Sequence, residues 1–167
     1  EKTENAFTQQ PVVMEYAISE LINRTVQEIL NCEIHLLRSY AFLQAQTRDY
    51  IRDAQTCLIL QPILDQAIAN LGSPSAVEKR LQDILTQHQQ QPTPEVGYLA
   101  GNLLNLFRQL KSDITGYDFS RLTIWQAYLQ NYPLHDVNFS HCDLSRTVFT
   151  ETLGNILSAA FSPKGLL

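Results

Sequence analysis

Tyr117 to Phe149 reads YDFSRLTIWQAYLQNYPLHDVNFSHCDLSRTVF, and a single register organises the whole stretch. Phe119, Ile124, Leu129, Leu134, Phe139, Leu144 and Phe149 fall five residues apart without a slip. Two residues before each stand Tyr117, Leu122, Ala127, Tyr132, Val137, Cys142 and Thr147, mostly apolar or small. An α-helix repeats its faces every 3.6 residues and a strand every 2, so neither produces this spacing. An internal repeat is the remaining explanation.

Asp118-Phe119-Ser120, Asn138-Phe139-Ser140 and Asp143-Leu144-Ser145 resemble the pentapeptide-repeat signature of a small residue, Asp or Asn, then Leu or Phe. That resemblance implies a right-handed, four-sided β-helix whose core is Phe119, Ile124, Leu129, Leu134, Phe139, Leu144 and Phe149. Seven repeats make fewer than two full coils, and a short solenoid leaves apolar ends that need caps. The expectation is that a helix over 97–111 covers the N-terminal end, with Gly116 allowing the turn between them. Tyr117 and Tyr132 are large for an inner position and Pro133 replaces the usual acid or amide, so the first coil should be distorted there.

Upstream the periodicity is helical. Met14, Ile18, Leu21, Ile22, Val26, Ile29 and Leu30 recur at three- and four-residue steps after Pro11, a favoured first-turn residue. Thr47 to Leu71 carries Tyr50, Ile51, Ala54, Leu58, Ile59, Ile63, Leu64 and Ile68, and Pro62 should kink or split that run near Leu60. Gly72 is a stop, Ser73-Pro74 a start, and Val77, Leu81, Ile84 and Leu85 the buried stripe that follows. Pro92-Thr93-Pro94 separates it from a last helix bearing Leu99, Leu103, Leu104, Leu106, Phe107 and Leu110. Residues 34–45 stay open between helix and irregular chain. The fold expected is a mainly α helical array followed by a short right-handed pentapeptide-repeat β-helix, an α+β chain.

Composition narrows the function. The apolar share of 44% supports a packed core, and the formal charge of −5 with scattered basic residues argues against nucleic acid as a partner. No apolar run approaches the roughly 20 residues of a membrane span, and no leader is seen, so a soluble cytoplasmic protein is expected. Cys32, Cys57 and Cys142 are odd in number and far apart, which signals neither disulfides nor zinc. They are taken as buried small apolar residues.

Ile156-Leu157-Ser158-Ala159-Ala160-Phe161-Ser162-Pro163-Lys164-Gly165 resembles the opening strand of a WD-repeat propeller blade, with Lys164 where Asp is usual. Phe7 to Tyr16 (FTQQPVVMEY), the helical array, Gly101 to Leu106 (GNLLNL), the repeats and that strand together resemble the linker region of cyanobacterial-type STAND signalling ATPases. Those proteins have NB-ARC nucleotide modules and WD-repeat sensors. The resemblance implies four parts: 1–12, the tail of a winged-helix-like subdomain; 13–113, the helical array; 114–153, the repeats; and 154–167, a truncated blade. The chain opens on Glu1 and closes in an apolar run, as a piece of something longer would.

Chemistry is expected to be absent. There is no GxxxxGK[ST] to cradle phosphates, no GxSxG, and no pocket assembled around a nucleophile and base. His135, Asp136, His141, Cys142 and Asp143 fall on different sides of the repeat and are not expected to hold a metal. Asp49 and Asp53, with Arg48 and Arg52, form a self-compensating helix face. No catalytic, cofactor-binding or metal residue is assigned, and no cofactor or small-molecule substrate. Trp125 is a candidate interface residue, against the plainer reading that it packs under the capping helices or on Tyr128. The function expected is a non-catalytic connector between an ATPase module and a WD-repeat sensor, its partners being the other domains of the parent chain. The alternatives are a free-standing pentapeptide-repeat mimic of DNA that occupies a topoisomerase, and a helical interaction module that forms homo-oligomers.

Overall fold

A computed structural model describes residues 11–90 and 97–149. Most of the expected winged-helix tail, the Pro92-Thr93-Pro94 linker and the blade strand at 154–167 lie outside the described residues. Six α-helices account for most of the described chain: α1 Pro11–Asn31, α2 His35–Ser39, α3 Asp49–Gln55, α4 Gln61–Leu71, α5 Pro74–Gln90 and α6 Tyr98–Leu110. Among the described residues, no helix is long and apolar enough to cross a membrane.

The sequence signals act where they stand. Ser73 Oγ accepts the Ala76 N–H at 3.2 Å and Pro74 opens α5, an N-cap followed by a first-turn proline. Gly72 ends α4 in the left-handed conformation at φ 85°, where a side chain would be strained. Between α3 and α4 the chain widens into a π-helical turn, Thr56–Leu60, and the Gln61 N–H reaches back to the Thr56 carbonyl. Pro62 follows, with no N–H to give and a ring that would press on the Leu58 carbonyl in a regular helix. Widening the preceding turn relieves that contact. The interruption also leaves Cys57 exposed rather than buried, and Tyr50 and Leu58 face solvent as well.

α1 packs on α4, α2 and α5; α4 packs on α5; and α6 lies against α2, α4 and α5. Ile22, Val26 and Ile29 of α1, Ile63 and Leu64 of α4, and Leu81 and Ile84 of α5 form the centre of this assembly. Residues 34–45, open on sequence, are the short α2 followed by irregular chain. Two backbone amides of α2, Leu36 N–H at 2.7 Å and Leu37 N–H at 3.2 Å, donate to the buried Glu28 carboxylate of α1.

After Gly116, at φ 79°, the expected β-helix is not formed. Among the described residues there is no β-strand; strand-like contact is limited to three isolated parallel bridges, Asp118 with Asn138, Thr123 with Asp143, and Tyr128 with Val148. The α+β fold class is therefore corrected to a mainly α chain with a turn-rich winding over 114–149, and the pentapeptide-repeat β-helix is withdrawn. The physical reason lies in the spacing. Each five-residue side leaves three residues between turns, of which at most one is bridge-paired, and the winding passes over itself only once, so consecutive bridges do not accumulate into a strand.

The period of five is instead written in the turns. Arg121, Gln126, Asn131, Asp136, His141 and Arg146 all have φ between 55° and 63°. They are left-handed residues spaced by five, and none is glycine. After twenty residues the chain returns over itself: Phe119 N–H donates to Asn138 O at 2.8 Å and Asn138 N–H to Tyr117 O at 3.0 Å. The rings of Phe119 and Phe139 stack at 5.7 Å.

Candidate functional site, a junction built on the last helix

Leu99 to Phe107 of α6 are buried without a break, so this helix is enclosed on every side. A helix in that position should be apolar all round, yet it carries Asn102 and Asn105. Buried amides must find partners, and here they find them on opposite neighbours. Asn102 donates to Leu37 O at 2.8 Å and Tyr40 O at 2.7 Å and accepts the Phe42 N–H at 3.0 Å. It thereby fixes the irregular chain after α2.

Asn105, three residues on, works in the other direction. Its Nδ2 donates to Gln126 O at 2.9 Å and its Oδ1 accepts the Tyr128 N–H at 2.9 Å. One side-chain amide thus supplies both hydrogen bonds that a neighbouring extended chain would give residues 126–128. Gly97 O accepts the Trp125 N–H at 3.0 Å, and the Gln126 side chain accepts the Ala45 N–H at 2.8 Å. The winding is therefore tied to α6 and to the 40–45 loop through main-chain atoms.

Gly101 permits this closeness. A Cβ on it would fall 1.9 Å from the Trp125 carbonyl oxygen. The GNLLNL run is thus one device: Gly101 for backbone approach, Asn102 and Asn105 for pinning either side, and Leu103, Leu104 and Leu106 for the core.

Tyr128 closes the junction. Its ring lies 4.2 Å from the Arg52 guanidinium carbon and 4.8 Å from that of Arg108, and each contact of this kind contributes about 0.5–2 kcal/mol. The Arg52 side chain is only 12% exposed and also donates to the Ala45 and Thr47 carbonyls and to Asp49. The π-helical turn sets this up: its extra residue turns α3 relative to α4 by roughly 100°, leaving Arg52 half-buried and Asp53 exposed. The sequence reading placed Arg52 on a solvated face and missed its role.

The residues expected in the core of the winding divide by pass. Phe119, Ile124 and Leu129 are buried under the helices, Leu134, Phe139 and Leu144 are half-buried, and Phe149 is 37% exposed. Trp125 is half-buried; its ring meets Tyr98 edge-on at 5.7 Å, its Nε1–H donates to Asp143 at 2.9 Å, and Arg146 lies 5.6 Å from the ring. Its ring contact is thus with Tyr98 at the start of α6. Tyr132 donates its hydroxyl to Ser112 O at 2.8 Å, and burial pushes its ionisation well above the ordinary phenol range. Tyr117 packs edge-on against Phe107 at 5.5 Å, so both oversized inner residues serve contacts with α6 and its exit. Among the described residues, no group of three or more His, Cys, Asp and Glu side chains is placed to hold a metal. All three cysteines carry free thiols.

An uncharacterized WD repeat-containing protein of Nostoc sp. is 42% identical over an alignment of 200 positions that covers the whole of this chain. The chain spans 16% of that protein's length. It is therefore similar to a segment of a larger, multidomain WD repeat-containing protein. No family model matches the chain, and no solved structure matches it.

Proposed function

We propose that the chain is a non-catalytic connector in a longer cytoplasmic protein, carrying movement between an NB-ARC-type nucleotide module and a WD-repeat sensor. The observation that supports this is α6. One buried helix belongs to the helical core through Asn102 and holds the backbone of the next segment through Asn105 and Gly101. Coupling between distant sites needs an element both sides can bias, and a segment that slides on its neighbour transmits nothing. The 42% identity to part of a WD repeat-containing protein supports the multidomain setting.

The test uses a longer chain that includes the flanking domains, with a dye pair reporting the distance between the WD-repeat part and the rest. A nucleotide-dependent distance change is expected in the parent and should disappear in the Asn105→Ala, Gln126→Ala double variant. Unchanged transmission in a variant shown by hydrogen exchange to have a loosened junction would overturn the proposal. So would ATP turnover by a clean preparation of the 167-residue chain.

A further inference from the structure

The first turns of α1 break the rule that the rest of the helix obeys. Val12 is 72% exposed, Val13 51%, Met14 50% and Tyr16 71%. Residues 12–17 are all exposed, around the whole helix, and Ile18 is the first residue to be largely covered. Four large apolar side chains around a helix end are the composition of a sheathed element, not of one standing in water. From residue 12 to residue 23 the only charged side chains are Glu15 and Glu20. Glu20 is already paired with Arg24 at 2.6 Å, and Glu15 makes no ion pair among the described residues.

We infer that the Val12–Tyr16 turns are a plug seated in an apolar hollow, flanked by a basic side chain for Glu15, on a neighbouring domain of the same longer chain. Two observations favour that occupant over a second copy. A second copy offers only acids, Glu15 and Glu20, within its own residues 12–23, so this end of the helix has no charge complementary to itself. The relative extends far beyond this chain, which is 16% of its length, and a tethered neighbour meets the plug at an effective concentration in the millimolar range. The inference rests on the connector reading for the presence of that neighbour, and it names where the neighbour is gripped.

Hydrogen exchange followed by mass spectrometry, on the 167-residue chain and on a longer chain with its flanking domains, tests this. Amides of residues 13–17 should exchange at least about 100-fold more slowly in the longer chain. Val13→Asp, Tyr16→Asp and Glu15→Lys should each abolish that protection, while leaving the melting temperature of the 167-residue chain unchanged. Equal exchange in both chains overturns the inference. So does a concentration-dependent dimer of the 167-residue chain that Val13→Asp dissolves, because a second copy would then be the occupant. Loss of the transmitted distance change with this protection intact would refute the connector and leave the plug standing.

Discussion

Gly101 lies so close to the Trp125 carbonyl that a Cβ would fall 1.9 Å from the oxygen; α6 and the winding meet backbone on backbone. In an open helix interior, Gly→Ala stabilises by about 1 kcal/mol. Here the sign should reverse. Gly101→Ala is expected to destabilise by about 2–3 kcal/mol, the ordinary cost of overpacking, as measured by denaturant unfolding. A stabilised variant would show that the two elements do not touch.

Asn105→Ala removes a donor and an acceptor at once and leaves Gln126 O and Tyr128 N–H unpaired at the junction. The expected loss is about 2–4 kcal/mol. Asn102→Ala should cost a similar amount, and exchange separates the two. The first variant should release amides around 124–129 and their partners at 143 and 148, the second those of 37–43. Identical exchange patterns would refute the division of labour between the two asparagines.

Within the winding, six non-glycine residues hold left-handed turns, Arg121 among them at φ 61°. The conformation costs roughly 1–2 kcal/mol for an ordinary residue and less for Asn. Arg121→Asn is therefore expected to be neutral or mildly stabilising. Arg121→Val, branched at Cβ, should lose more than about 1 kcal/mol, read from the midpoint of thermal unfolding. Equal midpoints for the two would contradict the geometry.

Acid should loosen the winding first. Asp118 is held below its usual 3.8 by the Ser120 N–H, Asp143 by the Ser145 hydroxyl and N–H and by Trp125, and Asp113 by Thr115. A depressed folded pKa contributes stability that is fully present above the unfolded value and fades as pH falls through the folded one. Stability should thus be flat near neutrality and decline below about pH 4. Asn138 already makes the same turn with an amide, accepting the Ser140 N–H at 3.0 Å, so Asp118→Asn should fold normally and reduce the acid dependence.

The helices were legible because their signals are local. Ser73-Pro74, Gly72 and the Leu81-Ile84-Leu85 stripe each dictate a cap or a face from neighbouring residues alone. The five-residue register was equally visible, but its outcome was not. Strand formation depends on how many passes stack, and the left-handed corners fall on Arg121, Gln126, Asn131, Asp136, His141 and Arg146, a set without glycine and without a common turn signature. The junction was harder still. GNLLNL stood out as a string, yet the partners of Asn102 and Asn105 lie about 62 and 21 residues away in sequence, and no local rule connects them. Arg52 was hidden for a related reason, since one added residue in a π-helical turn decides which face it occupies.

That added residue makes α3 and the winding dependent on a count. Straightening residues 56–60 into a regular helix at unchanged length would rotate α3 by roughly 100°, swing Arg52 away from Tyr128 and place an acid, Asp53, nearer the ring. Deleting one residue from 56–60 would cancel that rotation, so a chain without the wide turn should keep the arginine facing the tyrosine only if it is also one residue shorter there.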